Sequence, residues 1–242
     1  MTELELIRPQ WAGRPCIVAA PGPSLSPEVI RHCRIARMVE GWKILAVQDA
    51  YKALPYADAM YGCNPEWWLW HKSCDGFCGQ KWTSHESNSS HCNEKLAVND
   101  KLGQSIADAY GLRVCGGTSG DEFSFDPAFI RYGSNSGFQA INLALLFGCT
   151  WIVLVGFDMR YVGSKSHFFG DHPAELMQIK DEQYRNFIPR FTIAARKLPS
   201  DITIINATPE SAMTCFPMMT LEDAIRGVVF RPNGHREMSY GC

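Results

Sequence analysis

The stretch Cys16 to Ser26, CIVAAPGPSLS, constrains the fold of this chain more than any other. Cys16 to Ala20 is a short apolar run, β-branched in its middle, as expected of a buried strand. Pro21-Gly22-Pro23 cannot continue a strand, because two of its three residues lack a backbone donor. Ser24 and Ser26 are helix-capping residues, and Pro27 suits a first helical position. The stretch therefore reads strand, tight turn, helix start. Such a turn aims backbone N–H groups and the positive end of a helix dipole at one point, which is a natural seat for a phosphate. It serves equally as an ordinary βα connection without a ligand.

The same order recurs along the chain. Lys43 to Val47 (KILAV) predicts a second strand, ending at Gln48 and Asp49, and Ala59 to Cys63 (AMYGC) a third, ending at Asn64. Helices are expected over Pro27 to Met38, over Ala50 to Leu54 and from Pro65 onward. A βαβαβ order implies a parallel sheet. Lys72 to Asp100 is rich in Ser, Asn, Cys and Gly, and reads as an inserted loop or lid. Leu112 to Cys115 predicts another strand, and Gly116 to Tyr132 a second irregular stretch.

The pattern then returns. Gly133-Ser134-Asn135-Ser136-Gly137 is a polar turn before an apolar helix, Phe138 to Phe147, for which Gly148 is a natural stop. Trp151 to Val155 (WIVLV) reads as a strand buried on both faces and ends at Gly156-Phe157-Asp158. Ile179 to Leu198 is a helical stretch that Pro189 is expected to kink or divide. Ile202 to Ile205 is the last central strand, with Asn206 and Thr208 after it. Thr220 caps a short helix, Leu221 to Ile225, and Val228 to Cys242 is a tail of little pattern. The expectation is a single α/β domain over residues 1–242: Rossmann-like, doubly wound, mainly parallel, with an inserted Cys/His-rich lid loop.

Composition narrows the chemistry. A net charge of −2 supplies no general basic field for nucleic acid. The opening MTELELIRPQWAG has no basic region followed by an apolar core, and no apolar run approaches the roughly 20 residues of a membrane helix. A cytoplasmic location is expected, with the 10 cysteines reduced. Cys74-x3-Cys78, with His85, His91 and Cys92 downstream, offers ligands for a structural zinc at Cys74, Cys78, His91 and Cys92, although the usual CxxC spacing is absent. Reduced thiols in a loop are the alternative.

In an open parallel sheet, ligands bind beyond the carboxyl ends of the strands, where the strand order reverses. The residues expected there are Gly22, Pro23 and Ser24; Gln48 and Asp49; Asn64; Ser134, Asn135 and Ser136; Asp158; Asn206 and Thr208. Most are hydroxyls and amides, suited to hydrogen bonding a ribose, a base edge or a sugar. Each also has an ordinary use as a turn or helix cap. The loop Met159 to Pro173, MRYVGSKSHFFGDHP, adds Tyr161, Lys165, His167, Asp171 and His172. A histidine there suits a general base.

Together these segments resemble one superfamily. The resemblance rests on GPSL after the first strand, Asn-Pro after the third, SNSG before a helix, LVGFDM, SHFFGDHP and INATPESAMTCFP. That superfamily holds the bacterial CMP-sialic acid sialyltransferases, the motility accessory factor glycosyltransferases and the archaeal hydroxymethylpterin pyrophosphokinases. The resemblance spans about Cys16 to Ile225, and closest in size are small stand-alone members often carried by bacteriophages, which would act in the host cytoplasm.

It implies that Gly22, Pro23 and Ser24 sit at nucleotide phosphates. Gln48, where the sialyltransferases carry Asn, and Asn64 would contact ribose, sugar or leaving phosphate. Ser134 to Gly137 would line the base and ribose pocket, above Asp158. Tyr161 would match a tyrosine that steadies the departing phosphate. SHFFGDHP resembles the stretch holding the catalytic histidine, with His172 the first choice of base and His167 the second. The first motif reads Ala20-Pro21-Gly22-Pro23-Ser24-Leu25 rather than G-N-G-P-S-L, and the Cys/His-rich insertion is not part of the common pattern.

Three functions follow. One is a nucleotide-sugar glycosyltransferase, CMP-sugar type favoured, with no obligatory metal. Its acceptor is open among a glycan, a small molecule and a modified nucleobase, as is assembly into a homo-oligomer. The second is a pyrophosphokinase moving diphosphate from ATP to a hydroxymethyl group, with Mg2+ held by carboxylates such as Asp49, Asp158 and Asp171. The third is a non-catalytic nucleotide-binding phage protein.

Overall fold

A computed structural model describes residues 4–72, 74, 76–85, 107–230 and 236–238. The apolar runs form strands β1 (Cys16–Ala19), β2 (Lys43–Val47), β3 (Ala59–Tyr61), β4 (Gln80–His85), β5 (Arg113–Thr118), β6 (Phe129–Arg131), β7 (Trp151–Val155) and β8 (Thr203–Asn206). They make one eight-stranded sheet in the order β6-β5-β4-β3-β2-β1-β7-β8. Every neighbouring pair is parallel. Successive strands march outward from β1 to β6. The chain then crosses back to place β7 on the free side of β1. The topological switch point therefore lies between β1 and β7.

Helices α1 (Pro27–Val39), α2 (Ala50–Ala53), α3 (Pro65–His71), α4 (Ser136–Leu146), α5 (Asp181–Arg196) and α6 (Leu221–Ile225) cover both faces. Alternation along the strands sorts the core into two layers. Cys16, Val18, Ile152 and Leu154 pack with α4 and α5 through Phe138, Ile141 and Phe191. Ile17, Ala19, Val153 and Val155 pack with α1, α3 and α6 through Cys33, Ala36, Trp67, Trp68 and Leu221. Buried on both sides, β1 and β7 read as continuous apolar runs. Helix α4 is the most deeply placed, with every residue except Gly137 buried. Its two buried amides are fully used. Gln139 accepts from the Tyr61 hydroxyl (2.6 Å) and donates to the Tyr132 carbonyl (2.9 Å). Asn142 accepts from the Ser124 and Arg131 N–H groups and donates to the Ser124 carbonyl. These bonds fix α4 in rotation and depth beneath the crevice described below.

Four expectations need correction. The segment read as an insertion from Lys72 contains β4, which lies inside the sheet between β3 and β5. QKWTSH has a single apolar residue, Trp82, and so shows no alternation that would mark a strand in a polar stretch. Residues 86–100, the rest of the expected lid, lie outside the described residues. The stretch from Gly116 to Tyr132 completes β5 and adds β6. Pro189 neither divides nor ends α5, which runs from Asp181 to Arg196 with the proline inside. One hydrogen bond is lost there, but Tyr184, Phe191 and Ala194 stay buried along the same stripe. The tail carries a small antiparallel pair, β9 (Val228–Phe230) with β10 (Arg236–Met238).

The crossing of β1 and β7 depends on glycine. Gly156 has φ +73°, and a Cβ there would lie 2.0 Å from the Ala20 carbonyl oxygen. Gly156→Ala is expected to cost at least about 2 kcal/mol, from backbone clash added to left-handed strain. Gly163 also has positive φ but faces open space. Gly163→Ala serves as the control, with a cost of about 1 kcal/mol. Urea unfolding of both variants measures the difference.

Candidate functional site

Two turns meet at the switch point. After β1, the Gly22 N–H donates to the Gly156 carbonyl (3.0 Å), which follows β7. A Cβ on Gly22 would fall 2.2 Å from both the Gly156 oxygen and Asp158 Oδ2. With no side chain in the way, Asp158 reaches across to Ser24. Its carboxylate accepts from the Ser24 N–H (3.2 and 3.3 Å) and hydroxyl (2.8 Å). Burial lifts the Asp158 carboxyl above its ordinary pKa despite these bonds. The remaining amides of the turn are also engaged: Leu25 donates to Gly22 and Ser26 to Ser24. The anion-facing amides expected of this turn are thus satisfied by the protein itself.

A crevice of about 100 Å³ opens beside this crossing. It is lined by Pro21 and Gly22 after β1, Gln48 after β2, Asn135, Ser136 and Gly137 at the start of α4, Asp158 after β7, and His167. Phe157, Met159, Ile179, Tyr184 and Phe187 form its apolar wall. Seven residues expected from the sequence therefore meet in one place: Gly22, Gln48, Asn135, Ser136, Gly137, Asp158 and His167. The Asn135 side chain caps α4 by accepting from the Phe138 N–H (2.8 Å). The Ser136 and Gly137 N–H groups, at the first two helical positions, have no acceptor among the described residues. They replace the β1 turn as the amides facing the crevice. Glycine is required at 137, where a Cβ would lie 2.9 Å from the Phe157 ring. Gln48 (φ +44°) and Met159 (φ +51°) hold left-handed backbone on the crevice wall, a strain that persists only where the surroundings enforce it.

Other expected residues stand around the crevice. Pro23 and Ser24 continue the β1 turn, with Ser24 committed to Asp158. Asn64 stands at the N-cap position of α3 without a side-chain capping bond, and its Oδ1 lies 3.5 Å from Gln48 Nε2. Cys63 Sγ lies 2.9 Å from both Asn64 Oδ1 and Ser136 Oγ. Ser134 is exposed, with φ +61°. The Tyr161 hydroxyl donates to the Ile179 carbonyl and does not line the crevice; Tyr184 does. Asn206 and Thr208 are buried and structural, Thr208 accepting from the Phe157 N–H (2.9 Å). Cys74 is buried and Cys78 exposed, while His91 and Cys92 lie outside the described residues. Among the described residues no group of three metal-ligating side chains is close enough to share an ion.

Behind the crevice sits a charged cluster. His167 stacks on Phe169, with ring centroids 5.0 Å apart and planes 8° apart, and its centroid is 4.5 Å from that of His172. Its Nδ1 is 2.9 Å from the Ser166 hydroxyl, which also donates toward Asp171 (3.2 Å). His172 Nδ1 lies 3.8 Å from Asp49, a residue only 1% exposed. Asp49 accepts from Lys52 and from the Trp67 indole, each at 2.6 Å, and His71 Nε2 stands 3.3 Å away. Burial alone would raise the Asp49 carboxyl, but these donors and His71 pull it below its ordinary range. Burial and the facing His172 push His167 down to about 4. His172 and His71 are lowered as well, by burial first, with the Asp49 charge opposing. At neutral pH the crevice therefore faces neutral imidazoles above a fixed anion. His71, Lys52 and Trp67 were not anticipated from the sequence. The signal available was the Trp67-x3-His71 spacing, which places both on one face of α3 toward Asp49.

The fold and the crevice define a doubly wound α/β protein with a crevice at the switch point. No family model and no curated protein matches the sequence. Among solved structures the chain is similar to the MAf glycosyltransferase from Magnetospirillum magneticum AMB-1, with a TM-score of 0.55 and 12% identity. The match covers 87% of this chain and 34% of that one, so the chain spans about a third of the length of the protein it matches. The likeness is one of fold. No helix among the described residues is long and apolar enough to cross a membrane.

The histidine cluster makes stability depend on pH. A histidine whose folded pKa lies below its unfolded value of about 6.5 stabilises the fold only while neutral. That contribution is complete above about pH 6.5 and is lost as pH falls toward the folded value of about 4 for His167. The expected loss is roughly 2–3 kcal/mol between pH 7 and 4. In urea unfolding at stepped pH, His167→Gln is expected to flatten this slope.

Proposed function

We propose that the chain is a glycosyltransferase-type enzyme that uses a nucleotide-activated sugar, of the CMP-sugar type, with a crevice histidine as general base. One observation carries the reading. At the switch point, neutral amide and hydroxyl groups (Gln48, Asn135, Ser136) share a small crevice with a neutral imidazole, His167. The fold of the MAf glycosyltransferase supports it at the level of architecture. Small-molecule pockets generally enclose roughly 300–1,000 Å³. The crevice is smaller, so it suits the phosphate and reacting sugar carbon, with the base and ribose lying over the rim toward Asn64 and Ser134.

In this reading His167 removes the proton of an acceptor hydroxyl. The O–H bond breaks and its electron pair stays on oxygen, which attacks the anomeric carbon. The bond from that carbon to the phosphate oxygen breaks, and its pair leaves with the nucleotide. The Ser136 and Gly137 N–H groups and the α4 dipole offset the charge on the departing phosphate. His172, expected from the sequence to be the base, stands one ring behind His167 and partners it. The acceptor is a glycan, a small molecule or a modified nucleobase.

The pyrophosphokinase reading fits the residues less well. It needs carboxylates open to Mg2+, whereas Asp158 is taken by Ser24 and Asp49 by Lys52 and Trp67. Asp171, the third candidate, is exposed on the loop.

A thermal-shift panel of CMP-, UDP- and GDP-sugars and free nucleotides tests the proposal. Selective stabilisation by a CMP-sugar, followed by its hydrolysis or transfer, is the expected result. His167→Ala is expected to lower turnover at least 100-fold with binding retained. Nucleotide binding that never leads to turnover would instead select the non-catalytic reading.

A further inference from the structure

We infer that Asp49 is a positioning residue for the crevice histidines: clamped by Lys52 and Trp67, its carboxylate holds His172 in one orientation against His167. The inference rests on the proposed role of His167 for its purpose, but not for its geometry.

Asp49 follows β2 and is almost completely buried. A carboxylate has about four acceptor positions. Two are filled at 2.6 Å, by Lys52 from α2 and by the Trp67 indole from α3. These two donors come from different helices and leave the carboxylate no freedom to turn. The other two positions face imidazoles. His71 Nε2 and His172 Nδ1, on side chains 8% and 10% exposed, point to Asp49 from 3.3 and 3.8 Å. Both nitrogens are buried, and neither has a hydrogen-bond partner among the described residues. A buried imidazole nitrogen without a partner is costly. Among the described residues each is paired with Asp49, and a closure of about 1 Å brings His172 Nδ1 to ordinary hydrogen-bond length. Catalytic hydrogen bonds are commonly long without substrate and tighten in the complex.

The groups facing His172 are Asp49, Lys52, His71, His167 and Asp171. Among them Asp49 is the buried anion, and Asp171 is exposed and engaged by Ser166. A proton arriving at His167 therefore meets a neutral ring, and behind that ring a fixed negative charge. Asp49 donates no proton and touches no substrate. Its action passes through the Nδ1–H of His172, which leaves Nε2 as the acceptor of that ring.

Imidazole nitrogen NMR on the full, substrate-free chain tests this directly. At neutral pH His172 is expected as the Nδ1–H tautomer, the form that donates to Asp49. In Asp49→Asn, an amide nitrogen in the place of Oδ2 donates to His172 Nδ1 and gives up the Trp67 bond, while the oxygen in the place of Oδ1 keeps Lys52. His172 is then expected to switch to Nε2–H. An Nε2–H tautomer for His172 in the unaltered protein overturns the proposal, and so does a folded Asp49→Asn variant with an unchanged His172. If Asp49→Asn does not fold, the tautomer in the unaltered protein decides alone. With a turning-over donor in hand, Asp49→Asn is expected to lower kcat at least tenfold with KM within twofold. A tautomer switch without turnover of any donor leaves the positioning role standing and removes the transferase reading.

Discussion

The contact on which the rest depends is the backbone crossing of Gly22 and Gly156. Parallel strands normally end side by side with room for side chains between their turns. Here the two turns touch, because neither central residue carries a Cβ. The touching turns bring Asp158 within reach of Ser24 and so tie the end of β7 to the start of α1. They also fix the floor of the crevice. Any side chain at either position would separate β1 from β7 at the point where the sheet changes direction, and the crevice would lose its shape before it lost any of its polar groups.

This crossing redistributes the donors of the site. A β1 turn with free amides would draw an anion to α1, as in common dinucleotide-binding arrangements. Its amides and Ser24 are instead consumed in holding the crossing together. The free N–H groups lie across the crevice, at Ser136 and Gly137 on α4. That helix is the most rigid support available, being buried almost throughout and pinned through Gln139 and Asn142. The division of labour is physical. One helix start builds the floor, and the other is left open to a ligand.

Much of this was legible in the sequence, and the reasons are specific. β1, β2 and β7 are uninterrupted apolar runs because both of their faces are covered, so their bounds could be read nearly to the residue. The polar residues after them, with SNSG before α4, marked the rim. What escaped was whatever departs from those signals. QKWTSH looks polar because two of its three buried residues, Thr83 and Ser84, are themselves polar. Pro189 looks like a break because the loss of one hydrogen bond is visible in the sequence, and the burial of Tyr184, Phe191 and Ala194 that outweighs it is not. Gly22 reads from the sequence as a glycine at the ligand; it lines the crevice, and the groups that leave no room for a Cβ there are Asp158 and Gly156. Sequence shows that a glycine is needed and not which neighbour needs it.

The electrostatics of the cluster follow from the same economy of space. Asp49 and Asp158 are both buried carboxylates at strand ends, yet burial wins at one and loses at the other. Asp158 has only uncharged donors from Ser24, which do not overcome desolvation. Asp49 has an ammonium and an indole at 2.6 Å, and they do. The stable anion is therefore placed behind the histidines and away from the crevice, and the carboxylate that lines the crevice is the one whose charge is disfavoured. Under the proposed function, an anionic phosphate entering beside Asp158 would meet less repulsion than two ordinary carboxylates would impose. In the same reading, a proton taken up by His167 would move toward Asp49, the carboxylate whose negative charge is favoured. Exchanging the two environments would, under that proposed function, repel the ligand and strand the proton, so Lys52 and Trp67 matter to the chemistry through the charge they hold on Asp49.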